Sequence, residues 1–455
     1  MAVMRRFFFG LTALVCLPCC LSIAYAGADQ GREIDAMPGI EPHRARVETV
    51  NRNLTERLDD LLPGLMRETG IDLWLVINRE YAEDPVYLTL VPEPVFAARR
   101  TTMLLFHDRG EEGVQRLTVN RYPIRDYYEP AWEGGDLDDQ WNRLGELLAE
   151  LDPKKIGVNV SRDWPLADGL TESLHGRLMD VLTPALKQRV VSAEDLIIRW
   201  METRSPGELQ VYPHIVAVAR RVIAEAFSNK VITPGATTTD DVAWYIRERF
   251  EALELDPWFQ PYVNAQRRGT TYERDAPFFG ESGVVIERGD VLHTDVGICY
   301  LRLCTDTQEM GYVLRLGESD VPTGLKAALE TGNAWQDILT ANFVTGRTGN
   351  EILARTAEQS EQRDIVQSTY THPMGFFGHD AGTTIGMWDD QKPEHLRGEW
   401  KLHANTGYAI EGNIRQRVAE WDDQWVQIKL EQSAVFDGER VHYLAGRQGS
   451  WHVVE

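Results

Sequence analysis

Cysteine is scarce in this chain. Three of its five cysteines, Cys16, Cys19 and Cys20, fall within the first 26 residues, which leaves only Cys299 and Cys304 for the folded body. Two cysteines five residues apart either close one small loop or stay free and buried, and in neither case do they build a disulfide scaffold. Basic runs are missing as well. Against 47 lysines and arginines stand 70 aspartates and glutamates, a formal charge of −23. Such a surface repels polyanions, so neither nucleic acid nor an anionic membrane is an expected partner.

The first 26 residues do not belong to the fold. Arg5 and Arg6 precede an apolar run over 7–24, and Ala24-Tyr25-Ala26 offers small residues where a signal peptidase cuts. Export to the periplasm or the medium is the expected fate, with no membrane contact in the mature form. An uncut anchor is the alternative, weakened by Pro18 inside the run and Ser22 near its end.

What remains is ordinary globular material. A chain of 455 residues, 43% hydrophobic and 26% charged, supports two or three domains. After a polar leader (27–46), Val50, Leu54, Leu58, Leu61, Leu62 and Leu65 keep a helical period that Gly70 stops. A buried strand over 71–77 follows, with further strand signals at 101–106, 114–119 and 156–160 and a helix through 144–151. This alternation predicts a compact α/β domain over 47–195. Residues 196–204 read as a linker. Ser205-Pro206-Gly207-Glu208, a capping box with proline at the first helical position, then opens a second domain, 205–455. Inside it, Gly235-Ala236-Thr237-Thr238-Thr239-Asp240 is echoed 111 residues later by Gly346-Arg347-Thr348-Gly349-Asn350-Glu351. Each copy reads as a turn into a capped helix, which suggests two related αβ halves sharing a site.

Five residues carry the chemistry. His293 to Cys299 is a strand by composition, and Leu303 to Thr307 is its return partner. With the loop at 300–303, Cys299 faces Cys304 and Gly297 faces Asp306, and any loop of even length puts Asp295 and Asp306 on one face. Two like charges held that close need a cation. Further along stand His379 between glycines, Glu411 at the end of an apolar run, and Glu431 in a strand-like stretch. Four carboxylates and one imidazole form a hard, oxygen-rich set that suits a pair of divalent ions, manganese first, with cobalt, zinc or iron as alternatives.

In this order and spacing the chain resembles the pita-bread metallopeptidases, the family of aminopeptidase P, prolidase, methionine aminopeptidase and the metal-free creatinase. The resemblance implies an α+β protein: a creatinase-like amino-terminal α/β domain, then a pita-bread catalytic domain of duplicated αβ halves. Asp295-Val296-Gly297 and Asp306, eleven apart, resemble the family's two aspartate ligands, Gly378-His379 its metal histidine, Ile410-Glu411-Gly412 its first glutamate and Lys429-Leu430-Glu431 its second. By that likeness Asp295 would hold one metal, His379 and Glu411 the other, and Asp306 and Glu431 would bridge both. The implied activity is removal of an amino-terminal residue, of the Xaa-Pro aminopeptidase or dipeptidase kind, with Glu411 as proton shuttle. The partner would be a small peptide or small-molecule amide, and a homo-oligomer is compatible with the sequence.

The chain also departs from the family, which usually carries two more histidines, one before the first aspartate and one seven residues after the metal histidine. No histidine occurs between His214 and His293, and the residue seven after His379 is Gly386. The acidic pair Asp389-Asp390 falls near that place, which makes Asp390 a candidate catalytic residue, and His372 and His293 are candidate replacements for the missing donors. Lys429 stands where the family has arginine, a weaker carboxylate clamp because it lacks the planar fork. Trp258, Phe259, Tyr262, Phe278 and Phe279 lie where the family builds its substrate pocket, although core packing is the reading slightly ahead. The missing histidines keep two other readings open: a hydrolase or lyase acting on a small non-peptide molecule, and a metal-stabilised binding module.

Overall fold

The computed structural model describes residues 37–270 and 283–455. The expected signal peptide, the start of the polar leader, Phe278 and Phe279 lie outside the described residues. The helical period around Leu54 and Leu62 folds as helix His43–Glu56, a π turn Arg57–Leu61 and helix Leu62–Thr69. Gly70, at φ 67°, ends it in the left-handed region that a side chain would strain.

The strand that follows, Leu73–Arg79, is buried along six of its seven residues. It is a continuous apolar run because both of its faces are covered. Trp74 and Val76 join one core with Leu54, Leu62 and Trp200, while Leu73, Leu75 and Ile77 join another with Trp141, Leu144 and Leu148. This strand is the fourth of six in a mixed sheet ordered Glu129–Pro130, Val114–Val119, Thr101–Asp108, Leu73–Arg79, Ile156–Val158, Val190–Ser192.

The expected linker is a correction. Most of 196–204 lies in helix Glu194–Glu202, whose Leu196, Ile197, Ile198, Trp200 and Met201 are buried. An apolar stripe of that size cannot stay in a solvated tether. Directly after it, Ser205 and Glu208 exchange the two hydrogen bonds of a capping box and start helix Pro206–Ala226.

The second half of the chain is visibly doubled. Gly235 (φ 81°) and Gly346 (φ 82°) make the same turn, and the threonines three and two residues on, Thr238 and Thr348, cap helices Thr239–Ala252 and Gly349–Glu361. Each unit then feeds three strands into one sheet. Its main path runs Val366–Thr369, Thr406–Val418, Gln424–Phe436, Thr307–Val313, Val291–Val296, Tyr262–Gln266. The last strand of each half therefore pairs with the other at the centre, Gln308 opposite Glu431. This is the pseudo-two-fold α+β arrangement expected from the resemblance, and it brings residues of both halves to one face.

Candidate metal centre

Register places the acids in a row across the sheet. Tyr262 faces Asp295, Asp295 faces Gln308, Gln308 faces Glu431, and Glu431 faces Glu411. Directly opposed residues project to the same side. Asp306 reaches that side from just before strand Thr307–Val313, two residues from Gln308. The hairpin between the aspartates has the expected register, with Cys299 opposite Cys304, and the two cysteines are disulfide-bonded. Its turn residues Leu301 and Arg302 have φ of 55° and 61°. Arg302 is gripped by the amino-terminal domain through the Glu93 carboxylate and the carbonyls of Leu88 and Val91.

The histidine among these acids is His372. Strand His372–Pro373 pairs with Tyr408 and Ala409, which buries the ring and sets Nε2 3.5 Å from Glu431, 3.6 Å from Glu411 and 3.7 Å from Asp306. Its Nδ1 lies 3.1 Å from the Pro373 carbonyl, which can only accept. Nδ1 therefore carries a hydrogen, and Nε2 is the atom turned to the carboxylates.

Three overlapping groups bring their ligand atoms within 4.8 Å of one another: Asp295 with Asp306 and Glu431; His372 with Glu411 and Glu431; and Asp306 with His372 and His379. Asp306, Glu431 and His372 are each shared between two of them. Within the centre, Asp295 Oδ1, Asp306 Oδ1, Glu431 Oε1 and His372 Nε2 are buried without a hydrogen-bond partner. Burial, then the nearby Glu411, push the Asp295 carboxyl up to about 8. Burial and the facing acids push Asp306 and Glu431 well above the ordinary carboxylate range. Burial alone would lower His372, but Glu411 and Asp306 raise it. Four acids with inward oxygens and one imidazole fit divalent cations, which supply the positive charge that a single proton cannot.

His379, expected as the metal histidine, joins only the group of Asp306 and His372, whereas His372 is the ring that meets three of the acids. His379 is exposed, 4.5 Å ring to ring from His372 on its outer side, and its ring meets Trp258 at 5.1 Å. It stands seven residues after His372, the spacing expected of the outer histidine. Gly386, at the position seven after His379, has no room for a side chain: a Cβ there would lie 2.2 Å from the Thr369 carbonyl. Asp390 is also placed elsewhere than expected, in an exposed turn where its carboxylate accepts from the Lys392 N–H, and it joins none of the clusters.

The open side of the centre is aromatic. Trp258 donates to the Thr305 carbonyl at 2.8 Å and packs on Phe259 at 4.5 Å. Two glycines make room for it, since a Cβ on Gly297 would lie 1.9 Å from Trp258 Nε1 and one on Gly378 2.2 Å from its ring. On the floor, Lys429 is buried beside Asp295, and burial lowers its ammonium to about 7. His293 is fully buried, and burial followed by the charge of Lys429 pushes it well below the ordinary histidine range. Sequence reasoning passed over Gln308, although its place two residues after Asp306 puts it on the same face.

Comparison with known proteins agrees with this geometry. Residues 213–436 match the model of metallopeptidase family M24. No curated protein matches the sequence significantly. Among solved structures, an X-Pro aminopeptidase from Thermotoga maritima superposes with a TM-score of 0.61 at 18% identity, over 86% of this chain and 100% of that one. A Xaa-Pro dipeptidase from Bacillus anthracis gives 0.55 at 16% over 90% and 99%, and a prolidase from Pyrococcus horikoshii 0.53 at 14% over 89% and 99%. At these identities the likeness is one of fold. Residues 213–436 thus carry the sequence pattern of metallopeptidase family M24, and over most of its length the chain shares the fold of these structures.

Proposed function

We propose that this chain is a dinuclear-metal exopeptidase that removes the amino-terminal residue of short peptides, of the Xaa-Pro aminopeptidase or dipeptidase kind, and that it works outside the cytoplasm after loss of residues 1–26. The carrying observation is the row of acids completed by His372, with Asp306 and Glu431 each shared between two ligand groups. Asp295, Asp306, His372, Glu411 and Glu431 would hold the ions, manganese being the first expectation for so oxygen-rich a set. When bound, the pair supplies an acidified water and a polarised scissile carbonyl.

The chain's own residues do the rest. Glu411 borders His372, where its carboxylate would take a proton from water and return it to the leaving nitrogen. His379, exposed beside His372, would donate to the substrate oxygen as charge develops there. Trp258 and Phe259 form an apolar wall for the substrate side chain or ring and exclude water from one flank.

Metal content measured together with release of free amino acid from a panel of small peptides tests this reading. The expected result is about two ions per chain, release from Xaa-Pro peptides, and loss of both in Asp306→Ala. A full metal load with no release from any peptide favours the second reading, a small-molecule amidohydrolase, which the lack of histidine between His214 and His293 supports.

A further inference from the structure

Gln308 occupies the middle of the row of acids, between Asp295 on one strand and Glu431 on the other. Its side chain is completely buried. Nε2 lies 2.8 Å from Glu411 Oε1 and 2.9 Å from Glu431 Oε2, and Oε1 lies 2.8 Å from His293 Nε2. The orientation of the amide follows from chemistry, because carboxylates only accept and so the NH₂ end must face them. The carbonyl end then accepts from His293, whose Nε2 carries the hydrogen.

We propose that Gln308 is a positioning residue of the carboxylate centre: anchored by His293, its amide binds one oxygen of Glu411 and one of Glu431 and turns their other oxygens toward His372. The inference rests on the metal-centre reading above. The geometry bears out the division of labour. The oxygens nearest His372 Nε2 are Glu411 Oε2 and Glu431 Oε1, the partners of the two that Gln308 holds. Glu431 Oε1 is left without a hydrogen bond, while Glu431 Oε2 has one.

A neutral donor suits this place better than a charged one. An arginine or lysine between the glutamates would cancel the negative charge that must attract cations, and a glutamate would add a fifth charge to a crowded group. The amide orders two carboxylates and leaves their charge intact. Groups that orient metal ligands in this way change metal affinity by about 10- to 100-fold when removed.

The test uses the full mature chain, stripped of metal and titrated with Co²⁺, read by calorimetry and by the visible absorption of the bound ion. The unaltered chain should take up about two ions. Gln308→Leu should bind at least one of them about 10- to 100-fold more weakly, with altered absorption bands, because Glu411 and Glu431 lose their orientation. His293→Leu, which leaves the amide contacts of Gln308 to both glutamates in place, should show a smaller change in the same direction, and His293→Gln, which still offers a donor, should restore the bands. If Gln308→Leu does not fold by circular dichroism, the two His293 variants carry the comparison. Affinity within twofold of the unaltered chain and identical bands in Gln308→Leu, or in both His293 variants where those carry the comparison, would overturn the inference while leaving the metal centre standing. Absence of Co²⁺ uptake by the unaltered chain would overturn the metal-centre reading itself, and this inference with it.

Discussion

Replacing His372 by alanine should empty the centre of metal, whereas replacing His379 should leave metal in place and slow turnover. His372 is 3% exposed, and its Nε2 is 3.5 to 3.7 Å from three carboxylates. Truncation removes the one buried imidazole of the ligand groups found among the described residues and leaves acids whose protons are held tightly by burial and mutual repulsion. The loss should exceed the ~10- to 100-fold in affinity that supporting groups cost, which is more than about 1.4 to 2.7 kcal/mol. His379 is exposed and offers one donor to a substrate oxygen, so its loss should lower kcat by about 10²- to 10³-fold with the ions still bound. Both variants would be dialysed against Mn²⁺, their metal counted by emission spectrometry, and their release of amino acid from an Xaa-Pro dipeptide followed. A metal-free His379→Ala beside a fully loaded His372→Ala would refute the reasoning and restore His379 as the metal histidine.

Other consequences are independent of that pair. Gly297→Ala should push Trp258 off the Thr305 carbonyl, destabilise the chain by about 1 to 3 kcal/mol and raise KM without removing metal, checked by thermal unfolding and steady-state kinetics. Burial alone would raise Glu309, but Arg220 and His452 outweigh it and hold the carboxyl at about 2. Because the folded value lies below the unfolded one, this group's stabilisation is full above about pH 4.5 and is lost as pH falls toward 2, about 3 kcal/mol in all. Urea midpoints between pH 6 and 3 should therefore fall less steeply in Glu309→Gln, and equal slopes would contradict the assignment. Reducing Cys299–Cys304 frees a loop closed across five residues of separation, which in the chain-entropy picture costs about 2 kcal/mol, visible as a lower denaturant midpoint in dithiothreitol.

The parts of this molecule legible in its sequence are those set by short-range geometry. Asp295 and Asp306 share a face because strand side chains alternate with period two, and parity needs no knowledge of the rest of the sheet. The doubled turns at Gly235 and Gly346 were readable because a left-handed glycine followed by a capping threonine leaves a local signature. Helix Glu194–Glu202 was misjudged as linker because its apolar residues bury against the amino-terminal core, a partner far away in the chain. Its content, five large apolar residues in nine, was the available signal.

The exchange of His372 for His379 shows where local reading stops. A histidine between glycines invites assignment as a ligand, and His372 before proline reads as a turn. Which ring is buried depends on strand His372–Pro373 docking against Tyr408 and Ala409, a pairing that sets His372 opposite a residue 37 positions away in sequence. The seven-residue spacing was present throughout, since His379 follows His372 by that interval. With His372 inside, only one of the two expected outer histidines is missing, the one before Asp295. Asp390 then has no vacancy to fill. The site's own departure narrows to the interval between His214 and His293 and to the floor, where Gln308, His293 and Lys429 surround the acids with two neutral groups and one lysine whose charge burial weakens.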